Sequence, residues 1–125
     1  MDYDTFNALT KKRQEHSFAI LTAKGKGYGR DLERLHQFKE VGIRKHETPE
    51  LALHGMAEKH NLSVFDAVRD IERGEYDYID QKWIDDKITD SINYLHMLEA
   101  LIVERLMRDD LVRDHSVVSE GDNER

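Results

Sequence analysis

The chain has no cysteine and a single proline in 125 residues. Without thiols it can build neither a disulfide framework nor a thiolate metal site. One proline and seven glycines leave few residues to punctuate turns, which favours helices over many short strands. No apolar run approaches the roughly 20 residues of a membrane-spanning helix, and the first residues lack a secretion-signal pattern. A cytoplasmic protein with no membrane partner is expected. An excess of positive charge is missing too. The 26 acidic residues outnumber 19 Lys and Arg for a net charge of −7, which disfavours duplex nucleic acid as a partner. An acidic surface can still dock on a basic protein, and a local basic pocket can still hold a small phosphorylated ligand.

What is present points to helices with one apolar face each: 38% of residues are hydrophobic and 36% charged. The expected fold is all-α, with four to five helices packed around one long C-terminal helix. Residues 1–113 form one domain, and the polar, acidic stretch 114–125 reads as a disordered tail. A first helix is predicted over 4–23. A second begins at Asp31 and ends at Gly42, and a third starts at Thr48-Pro49-Glu50, a cap, proline and acid in order. That third helix runs to about His60. Ser63-Val64-Phe65-Asp66 then starts a fourth, which Gly74 stops.

The longest pattern covers about 81–112. Within it Ile84, Ile88, Ile92, Leu95, Leu98, Ile102 and Leu106 fall in an arc of about 120°, the expected core-forming stripe. Lys87 and Asp90 fall outside that stripe, in the arc shared by Trp83, Tyr94 and Leu101, about 240° to 300° from Ile84. Charges on the margin of a core need partners. Asp86 and Asp90 sit one turn apart with Asn93 at the next turn, so two carboxylates and an amide oxygen could offer ligands to Mg²⁺. One such pair supplies too few ligands alone. The competing reading is a buried Lys87–Asp90 pair whose hydrogen bonds are completed by Asn93 and Tyr94.

Residues 24–30 carry Lys24, Lys26 and Arg30 among three glycines and are read as a loop. Its backbone N–H groups and the helix that follows could cradle a phosphate, with Tyr28 stacking on a base. The spacing is not that of a Walker A loop. The plainer alternative is a flexible connection with solvated lysines. Seven histidines are scattered without a zinc-binding spacing.

Two sets of residues carry a family resemblance: Lys24, Gly27-Tyr28-Gly29, Asp31-Leu32, Leu35 and Gln37-Phe38, then Trp83, Asp86-Lys87, Asp90, Asn93-Tyr94-Leu95 and Leu98-Glu99. Together they resemble small helical bacteriophage proteins with a K-x-x-D-Y segment and, later, an E-K-x-x-D-x-x-N-Y-L helix. Those proteins are distantly similar to all-α nucleotide pyrophosphohydrolases of the MazG and dimeric dUTPase type, and to phage proteins associated with nucleotide modification. The resemblance spans roughly residues 18–106. This chain departs from the pattern: Gly27 replaces aspartate, Gln37 replaces asparagine, Asp86 replaces glutamate, and the E-E-x-x-E metal helix of the hydrolases is absent.

The resemblance implies a nucleotide, or a nucleotide-derived small molecule, held between the 24–30 loop and the long helix. Lys24 and Arg30 would contact phosphate, Tyr28 would stack, Asp90 and Asn93 would orient ligand or metal, and Lys87 would hold Asp90, with Lys26 and Tyr94 also among the ligand-binding residues. Mg²⁺ at Asp86 and Asp90 would accompany hydrolysis, were there any. The alternative is a non-catalytic phage accessory or anti-defence protein that binds a host protein or sequesters a nucleotide signal. A helix of about thirty residues also predicts a homo-oligomer, because a few short helices leave its edges uncovered.

Overall fold

The computed structural model describes the backbone of residues 1–28 and 35–116 and the side chains of residues 1–23 and 35–111. These residues form four helices, α1 (Tyr3–Tyr28), α2 (His36–Lys45), α3 (Pro49–Glu72) and α4 (Gln81–Ser116), with no strand among them. The all-helical expectation holds. Several boundaries differ for physical reasons.

Asp2 starts α1 by accepting a hydrogen bond from the Thr5 N–H at 2.7 Å, and the helix begins at Tyr3, one residue ahead of the expected start. The helix then continues through Lys24–Tyr28, where a glycine loop was expected. Gly25 and Gly27 each cost about 1 kcal/mol in a helix, which does not stop one already propagated over five turns. Arg30, and the side chains of Lys24, Lys26 and Tyr28, lie outside the described residues. So does the expected cap at Asp31.

Gly42 does not end the second helix. It sits buried inside α2, which is closed by His46 in the left-handed region (φ 57°), with the Glu47 N–H bonding back to the Gly42 carbonyl at 2.8 Å. The chain folds over Gly42 so closely that a Cβ there would lie 2.8 Å from the Glu47 carbonyl oxygen and 3.3 Å from the Pro49 nitrogen. Backbone meets backbone at this corner, so alanine should destabilise the fold by about 1–3 kcal/mol despite its better helix propensity. Urea unfolding reads the loss. A variant as stable as the parent would refute this account of the corner.

Thr48 caps α3 as expected, its hydroxyl accepting from the Leu51 N–H at 3.1 Å with Pro49 in the first position. The expected break near residues 61–63 is absent, and Pro49–Glu72 is one helix. Ala57 and Ala67 are buried on either side of that point, on one continuous face. Keeping that face against its neighbour outweighs the capping preference of Ser63. Gly74, at φ 74°, provides the stop.

Asp80 begins α4 by accepting from the Trp83 N–H at 2.8 Å. The helix spans 36 residues, about 54 Å at 1.5 Å per residue. It extends to Ser116, into the stretch expected to be tail; residues 117–125 lie outside the described residues. Helix α1 runs parallel to α4 on one flank: Arg13 bonds to Asp85 and Thr89, and Ile20 borders the 85–90 segment. Helix α3 runs antiparallel on the other flank, with Glu50 bound to Arg105 and His60 to Ser91. The core gathers Leu35 and Phe38 with Leu53 and Leu101, backed by Tyr94, Met97 and Leu98.

This arrangement inverts the expected role of the long-helix stripe. The core side of α4 is the arc of Thr89, Asn93 and Leu101, all buried. Ile88, Leu95, Ile102 and Leu106 face away from it, Leu95 with 67% of its surface exposed and Leu106 with 54%, while Ile84, Ile92 and Leu98 are half-buried on the edges. The most regular apolar pattern in the sequence therefore lies on the outside of the chain.

Candidate functional site

Two surfaces of α4 combine chemistry and shape. The first is a recess of about 420 Å³ bordered by Ile20 of α1 and by Asp85, Asp86, Lys87, Thr89 and Asp90. Its upper edge is an organised polar contact between α1 and α4. One Arg13 nitrogen donates to Asp85 at 2.6 Å, and another donates to Thr89 at 2.9 Å. Gln81 donates to the same Asp85 oxygen at 2.9 Å. Bonds from Arg13 and then Gln81 hold the Asp85 carboxyl below the usual carboxylate range. Asp86 pairs with Lys82 at 2.6 Å, which raises the lysine ammonium in turn.

Of the residues singled out in the sequence, the structure brings Asp86, Lys87 and Asp90 to this recess. Asn93 is turned into the interior, 6% exposed, with its side-chain oxygen unpartnered; Ser17, 1% exposed, is the other such group in the described residues. Tyr94 is sent to the opposite flank. There its ring lies 5.6 Å from that of His60, and burial, then the charge of Asp90, raises its hydroxyl pKa. Among the described residues no group of three or more His, Asp or Glu side chains is placed to hold a metal ion. The 86–90 pair thus gains no third ligand from another helix within that set.

Arg13, the organiser of the recess, was missed in the sequence because it stands in a polar run. Its spacing gave a signal, since Phe6, Leu9, Arg13, Ser17 and Ile20 recur every three or four residues on one face. His60, which bonds to Ser91 at 2.8 Å, carries no comparable pattern.

The second surface is a groove of about 190 Å³ between α3 and α4, floored by Leu53 and Ala57 and bordered by Ser91, Tyr94, Leu95 and Leu98. Leu95 belongs both to its rim and to the exposed stripe, so groove and stripe form one apolar surface. Comparison with protein-family models, curated proteins and solved structures finds no match for this chain.

The ion pairs around them set an acid limit. Glu50 is held below its usual range chiefly by its hydrogen bonds to Arg105, as Asp85 is by Arg13. A lowered folded-state pKa contributes stability above the unfolded value, near 4.5 for Glu50, and that contribution disappears as pH falls through the folded value. Stability should thus drop on acidification below about pH 4.5, and Arg105→Gln should flatten that part of the profile. Urea midpoints between pH 7 and pH 3 check it. An unchanged slope in the variant would show that the pair does not carry the effect.

Proposed function

We propose that this chain is a helical binding protein whose working form is an assembly of its own copies, joined through the outward face of α4. The observation that carries this is the direction of the stripe: Ile88, Leu95, Ile102 and Leu106 form the longest apolar pattern in the chain and are exposed. Contiguous apolar surface of this kind marks an interaction site in soluble proteins. Unfolding of an assembly is linked to concentration, so the melting temperature should rise between about 1 and 100 µM protein. A melting temperature independent of concentration opposes self-assembly and leaves the stripe to a different protein, the host-partner alternative.

A second reading is favoured by the juxtaposition of Lys87 and Asp90 in one recess, alongside the helix that continues to Lys24. It is the binding of a nucleoside phosphate, in line with the phage pyrophosphohydrolase-like resemblance. Among the described residues Asp85, Asp86, Lys87 and Asp90 border this recess, with Arg13 bonded to Asp85 and Lys82 to Asp86, and Mg²⁺ would be the ion to join a phosphate to such carboxylates. Thermal shifts with nucleoside mono-, di- and triphosphates, with and without Mg²⁺, test it. A Mg²⁺-dependent shift lost in Lys87→Ala supports the reading, and no shift with any nucleotide opposes it.

A further inference from the structure

The stripe on α4 has a symmetry that names its occupant. Ile84, Ile88, Leu95, Ile102 and Leu106 are spaced by four, seven, seven and four residues, so the pattern reads the same from both ends and is centred on Leu95. At 100° per residue all five lie within about 40° of one another, a narrow seam along the helix. We infer that a second copy of this chain docks on the seam with its α4 antiparallel, about a two-fold axis that passes beside Leu95. This rests on the self-assembly proposed above and adds its partner, orientation and register.

In that register Leu95 meets Leu95, Ile88 meets Ile102, and Ile84 meets Leu106. A two-fold contact requires such self-complementarity, because one surface must serve as both partners. The groove between α3 and α4 is centred on the same point: its α4 residues are Ser91, Tyr94, Leu95 and Leu98. Ala57 and Ser91 keep it open at the level of the axis, where the incoming Leu95 arrives. With α3 already antiparallel to α4 in each copy, the pair of chains forms a four-helix bundle with the groove closed inside it.

A parallel pairing would also match residues seven apart, and the spacing distinguishes the two. Parallel helices set each residue beside its own copy whatever the spacing, whereas antiparallel helices bury the whole seam only when it reads the same from both ends.

The native sequence has no cysteine, so every disulfide in a variant is an engineered one. Three proteins test the register under mild oxidation: Leu95→Cys alone, Ile88→Cys alone, and an equal mixture of Ile88→Cys with Ile102→Cys. The antiparallel register gives covalent dimers with Leu95→Cys. It gives hetero-cross-links in the mixture and none with Ile88→Cys alone, whose two sulfurs would stand about 21 Å apart along the axis. Ready cross-linking of Ile88→Cys alone would overturn the antiparallel register while keeping self-assembly on this face. A two-chain mass with no cross-link in any sample would place the interface elsewhere. A single-chain mass throughout would remove the register and the self-assembly together.

Discussion

Replacing Leu95 with lysine is expected to separate the assembly into single chains without unfolding them. In one chain Leu95 is 67% exposed, and a substitution at such a surface position changes stability by no more than about 0.5 kcal/mol. At the centre of a two-fold interface the same residue is buried in both copies. Each copy then loses about 1.5–3 kcal/mol of apolar burial, and two ammonium groups are forced together at the axis. The combined penalty corresponds to at least a hundredfold weaker association. Light scattering after gel filtration reads the mass, and circular dichroism checks that the helices persist. Leu111→Lys, near the C-terminal end of α4 and off the seam, should leave the mass unchanged. If Leu95→Lys keeps the parental mass, the seam is not the interface.

Phe38→Ala should cost the most in folding, about 3–5 kcal/mol. Phe38 is 1% exposed and packs in the cluster with Leu35, Leu53 and Leu101. It holds α2 against the pair α3 and α4, and few buried residues in the chain could collapse into the space it leaves. That loss is a large part of the about 5–15 kcal/mol that a domain of this size has. Its readout is the urea midpoint at matched protein concentration, since association adds to the stability of any assembled variant. A loss below about 1 kcal/mol would mean that the cluster around Phe38 is not the core. The two substitutions separate two roles of apolar residues: Phe38 builds the fold, and Leu95 builds the interface.

The helical class, the Thr48-Pro49 start and the Gly74 stop were legible in the sequence because each is set by backbone chemistry within a few residues. The direction of the long-helix stripe was not. Periodicity reports that Ile88, Leu95 and Ile102 share a face, but it does not say whether that face meets its own chain or another. The chain's own contacts fall on Thr89, Asn93 and Leu101, two of them polar, and a reading by hydrophobicity passes over such a face. The single long α3 was hidden for a similar reason, since a local capping signal at Ser63 was overruled by burial of Ala57 and Ala67 at a distance. Part of the candidate site was legible as a cluster, with Asp86, Lys87 and Asp90 at one recess. Tyr94 was not, because a helix turns residues 90 and 94 by about 40° and α3 claims the latter.

The central claim is that the outward seam of α4 is covered by a second copy. Sedimentation equilibrium of the unmodified protein across about 1–100 µM tests it most directly. The account predicts a mass of twice the 14.7 kDa chain, dissociating toward one chain on dilution. A mass of one chain at every concentration would contradict it.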